Sequence, residues 1–98
     1  MTAIKEPTLK GLGHNQMSAV KALKNNKGSY AILTRDHMLA TSLAYITTDD
    51  RQVFFGFDTP TIETLIRKKI LNIKTLDIPL INITQAIYTL NESLNAIH

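Results

Sequence analysis

DTPTIETLIRKKILNIKTLDIPLIN, residues 58–82, is the stretch on which the reading of this chain turns. Thr59 can cap a helix, Pro60 suits its first position, and Glu63 sets a negative charge in the first turn, against the helix dipole. Ile62, Leu65, Ile66 and Ile70 recur at helical spacing, which predicts a helix over about 60–71. Thr61, Thr64, Arg67 and Lys68 then occupy its outer face. Asn72–Leu76 and Pro79–Asn82 follow as two short extended runs around Asp77-Ile78, which predicts a small ribbon.

Upstream, Pro7, Gly11 and Gly13 break any regular pattern, so residues 1–12 read as a flexible arm. A first helix is predicted over His14–Asn25, with Met17, Ala19, Val20, Ala22 and Leu23 inward and Lys21, Lys24 and Lys27 forming a patch on the outside. Asn25-Asn26-Lys27-Gly28 stops it, Gly28 being free to turn left-handed. Tyr30–Thr34, Leu39–Thr47 and Val53–Phe57 read as a three-stranded meander, with Thr48-Asp49-Asp50-Arg51 as a turn. A helix over Arg35–Ile46 competes, since Leu39, Leu43 and Ile46 also fall at helical spacing. Aromatic and β-branched residues flanking the charged tip favour strands.

Downstream, Ile83, Ile87, Leu90, Leu94 and Ile97 are spaced 4, 3, 4, 3, an a/d stripe over two heptads. Asn82 with Gln85 resembles a capping box. The stripe predicts a helix over about Ile83–Ile97, and its narrowness favours a seam with a second copy of the chain.

The chain of 98 residues, 44% of them hydrophobic, fits one domain with a small core, a size at which partners are often recruited to bury more apolar surface. With no cysteine, disulfides, thiolate catalysis and cysteine-bound zinc are excluded. His14, His37 and His98 are scattered, with no helical spacing to share a metal. Gly11-Leu12-Gly13 is too short for a phosphate loop. Ser18, Ser29, Ser42 and Ser93 lack a nucleophile motif, and Asp36 beside His37 does not orient either toward a shared proton. No enzyme, cofactor or metal is expected. The net charge of +3 is compatible with a polyanionic partner. No eighteen-residue apolar run exists and the N-terminus has no apolar signal region, so no membrane is expected and the expected compartment is the cytoplasm of a bacterium, phage or other mobile element.

In element order, and in Ile66-Arg67-Lys68-Lys69-Ile70-Leu71 at the end of the predicted helix 60–71, the chain resembles winged helix-turn-helix regulators of bacteria and phages. The resemblance covers residues 13–97 and departs at the second helix, where a hairpin stands. It implies an α+β, winged-helix-like domain over 13–98: about three helices, a small antiparallel sheet and a C-terminal amphipathic helix. It implies double-stranded DNA as ligand, read through helix 60–71 and its wing. Thr61, Thr64, Arg67, Lys68, Lys69 and Lys74 are then the DNA-contacting residues, with Arg51 able to add a phosphate contact, and Ile83, Ile87, Leu90, Leu94 and Ile97 build a homodimer. The alternative is a protein-binding module, an inhibitor or toxin-system component, that docks on a host protein around Tyr45, Phe54 and Phe55. The spatial clustering of the basic side chains discriminates the two.

Overall fold

The computed structural model describes residues 9–91. Within them the order is α1 (His14–Asn25), β1 (Tyr30–Asp36), β2 (Thr41–Thr47), β3 (Phe54–Phe57), α2 (Thr59–Arg67), β4 (Leu71–Leu80) and β5 (Ile83–Leu90). The strands form one antiparallel sheet in the order β3-β2-β1-β5-β4. This overturns the winged-helix-like expectation: the described residues hold two helices and a five-stranded sheet, where about three helices and a small sheet were expected.

The first helix has the predicted bounds. Gly13 is its cap, and the Gly13 N–H donates to the Gln16 side chain at 2.5 Å. At the other end Asn26 Nδ2 donates to the Ala22 carbonyl (2.7 Å) and Ser29 Oγ to that of Leu23 (3.2 Å), satisfying carbonyls the helix leaves open. Gly28 then reverses the chain at φ 82. The meander follows, with Ala31, Leu33, Ala44 and Ile46 alternating onto the face that α1 and α2 cover. There they meet Ala19, Val20 and Leu23 of α1 and Ile62 and Leu65 of α2 in one cluster. Each fully buried aliphatic side chain contributes about 1.5–3 kcal/mol. Arg35 of β1 pairs with Glu63 of α2; both are half-exposed, so the pair adds little.

Three predicted elements come out differently. Residues 60–71 are helical only to Arg67, because the chain turns at Lys68–Ile70 to enter the sheet. The predicted ribbon 72–82 is a single ten-residue strand, β4, and the reversal lies at Ile81-Asn82, not at Asp77-Ile78. Pro79 is tolerated because β4 is an edge strand, irregular in register between Asp77 and Leu80. The C-terminal helix is overturned over Ile83–Leu90, which is strand β5; Leu94 and Ile97 lie outside the described residues. Its 4-3 spacing has a strand explanation. Ile83 and Ile87 point to the uncovered face of the sheet and Leu90, of opposite parity, to the helices. Five of the eight residues of β5 are Ile, Thr or Tyr, which suits a strand bonded on both sides.

Candidate nucleic-acid interface

The topology gathers cations at one end of the molecule. β1 starts at Tyr30, opposite Thr47 at the end of β2. Ala31 opposite Tyr88 brings the end of β5 there, and Leu90 opposite Leu71 brings the start of β4. α1 ends just before β1 and α2 just before β4, so both helix C-termini reach this same end. Lys24, Lys27, Arg67, Lys68 and Lys69 are exposed there. Arg51 joins them from the β2–β3 turn. Lys74, near the start of β4, lies on the other side of the sheet, its ammonium 5.9 Å from the centre of the Tyr30 ring. Cations near helix C-termini offset the negative end of the dipole, which stabilises them here.

The carboxylates at this end are already engaged. Asp49 accepts a hydrogen bond from the Tyr30 phenol; desolvation and then this bond hold that phenol above its ordinary range. The stability linked to Tyr30 is therefore present below the ordinary phenol range and lost as pH rises through the raised value. Asp50 accepts from Thr48 Oγ1 (2.5 Å) and from the Gln52 N–H (3.1 Å), and these two bonds lower its pKa. An open cleft of about 520 Å³ runs between Asn25–Gly28 and this turn.

Two of these cations occupy backbone positions that disfavour them. Arg51 (φ 57) and Lys69 (φ 65) are left-handed, a region that favours glycine. At Lys69 the reason is the end of α2. The Lys69 N–H donates to the Ile66 carbonyl (3.0 Å) and the Ile70 N–H to the Leu65 carbonyl (2.9 Å), while Ile70 packs into the core beside Leu65. Helices that close in this way usually carry glycine where Lys69 stands.

Of the predicted DNA contacts, Arg67, Lys68 and Lys69 come together, and Lys74 reaches the same end from the opposite sheet face. Thr61 does not join them: it is 5% exposed, beneath α2. The Thr64 hydroxyl donates to the Pro60 carbonyl at 2.8 Å and accepts from Arg67 at 3.4 Å. Of the predicted dimer residues, Ile83, Ile87 and Leu90 sit in β5 between two strands, so no helix–helix seam forms from them. Tyr45 and Phe54 stack on the uncovered face with ring centres 5.0 Å apart, whereas Phe55 belongs to the helix-covered face. Tyr30, on the same face, was missed; the alternation of Tyr30 with Ile32 in β1, set against that of Tyr45 with Thr47 in β2, was the available signal.

Among the described residues no group of His, Cys, Asp and Glu could hold a metal ion. No described helix is long and apolar enough to cross a membrane. No protein-family model, no curated protein and no solved structure matches the chain.

Proposed function

We propose that the protein binds nucleic acid by its phosphate backbone, at the basic end. The observation that carries this reading is the convergence of Lys24, Lys27, Arg67, Lys68 and Lys69 around two helix C-termini, with Arg51 and Lys74 flanking them. Arg51 and Lys69 add weight, because each keeps a cation where glycine would relieve backbone strain. The buried Thr61 argues against α2 as a groove-reading helix, so binding is electrostatic and tolerant of sequence.

The test is a salt titration of fluorescence anisotropy, using a labelled oligonucleotide and the triple variant R67A/K68A/K69A. Each lost phosphate contact lowers the salt slope by about 0.7–0.9, so the variant should lose roughly 2–3 units of slope. Its melting midpoint should also fall, since three cations near a helix C-terminus together contribute about 1–3 kcal/mol, so binding is compared well below the midpoint of the variant. An unchanged slope removes this end as the binding site. Lys69→Gly separates the two demands on that position. It should raise stability by about 1 kcal/mol while weakening binding. A variant that gains stability with undiminished affinity means the ammonium has no role.

A second reading, docking on a protein, is favoured by the opposite end of the sheet. There the His37 N–H donates to the Asn82 carbonyl (2.7 Å) and ties two turns together. Met38, Leu39, Ile78 and Ile81 stand around them, 72%, 68%, 62% and 94% exposed. A host protein or a second copy of this chain would cover them; sedimentation over a concentration series reads the homodimer directly.

A further inference from the structure

The helix-free face of the sheet carries a line of rings on adjacent strands. Phe54 of β3 and Tyr45 of β2 stack with an interplanar angle of 24°. Tyr30 of β1 lies on the same face, opposite Thr47. Between them is a small cavity of about 120 Å³, lined by Tyr30, Ile32, Tyr45, Thr47, Arg51 and Phe54. Cofactor and drug-sized pockets start near 300 Å³, so this one has room for little more than a single ring. Ile32 and Thr47 floor it, both buried. Arg51 stands at one side and the Lys74 ammonium over the far side of Tyr30. Both cations belong to the basic end, which thus continues onto the aromatic face.

We infer that the nucleic acid is single-stranded, with its phosphates at the basic end and its bases against Tyr30, Tyr45 and Phe54. The inference rests on the proposed function and names the form of polymer. Phosphate contacts alone do not distinguish strand number. Rings do, because a base offers its flat face only when it is unpaired and unstacked. An aromatic sheet face edged by two cations is complementary to both parts of such a chain: π-faces for bases, positive charge for the linking phosphates. Ile87 and Leu43 extend the apolar surface on this face along the strands.

The test uses the full chain with a ten-nucleotide oligothymidylate and a duplex of equal length, in Phe54→Ala, Tyr45→Leu and R67A/K68A/K69A. With no tryptophan present, tyrosine emission reports stacking directly. Single strands should bind more tightly than duplex and quench tyrosine emission. Phe54, 65% exposed, can be removed without touching the core, and Phe54→Ala should weaken single-strand binding by about 5- to 150-fold with no effect on duplex binding. Tyr45→Leu keeps a bulky side chain over Ile32 and should weaken binding in the same range. Equal affinity for both forms, unaltered by Phe54→Ala but reduced by the triple variant, overturns the single-strand inference and leaves the basic-end reading standing. Loss of binding in Phe54→Ala with none in the triple variant overturns the basic end instead. Absence of binding to either form overturns both.

Discussion

Leu90→Glu is expected to unfold the protein rather than to release a folded monomer. Leu90 is 6% exposed at the end of β5 and packs in the cluster beneath the helices. Trimming such a leucine to alanine costs about 2–5 kcal/mol. Glutamate adds a carboxyl group with no partner in that cluster, and its desolvation costs more. Domains of this size are stable by only about 5–15 kcal/mol, so little of the native state should survive. Circular dichroism melts of wild type and variant measure the loss. A variant that stays folded while a dimeric wild type dissociates would restore the helix seam that strand β5 replaces.

Thr61→Lys should likewise damage stability, although it adds a cation to the very helix a sequence reading assigns to DNA. Thr61 lies in the first turn of α2 and is buried. A lysine there must either force a larger side chain into filled space, at about 1–3 kcal/mol, or bury its charge at greater cost. The melting midpoint should drop by about 4–8 °C for each kcal/mol lost. A contact residue on an outer face would behave oppositely: the midpoint would hold and the affinity for an oligonucleotide would rise.

Both residues mark places where sequence reasoning fails, and other segments show where it succeeds. The bounds of α1 and the strand character of residues 30–57 were legible, because each segment has one dominant period and a strong stop: Gly28 for the helix, Thr48–Arg51 for the hairpin. Residues 83–90 were not. β5 carries apolar residues at both parities, Ile83 and Ile87 toward the uncovered face and Ala86 and Leu90 toward the helices, and Ile83, Ile87 and Leu90 then mimic a helical stripe. Only the pairing with β1, distant in sequence, resolves the ambiguity. Thr61 was misplaced for a related reason. A short helix lying flat on a sheet buries a wide stripe, and small hydroxyl residues fit at its margin. The basic residues themselves were visible, but their meeting depends on both helices ending at the same edge of the sheet, which no local pattern encodes.

The strand order has a further consequence, for how the chain comes to fold. β1 sits at the centre of the sheet, yet one of its two neighbours, β5, is the last strand of the described residues. Residues 30–57 can zip into a meander as soon as they exist, whereas the Ala31–Tyr88 and Leu33–Ala86 pairings must wait until β5 has also been made and has emerged. Until then one side of β1 stands open, and the helices lack the cover that Leu90 of β5 adds to the cluster. Long-range closure of this kind slows folding, and the interval exposes a strand edge to neighbouring chains. Synthesis therefore passes through a half-sheet whose most reactive border is the one that ends up most protected, so the yield of native protein should respond strongly to chaperones and to the rate of elongation through β4 and β5.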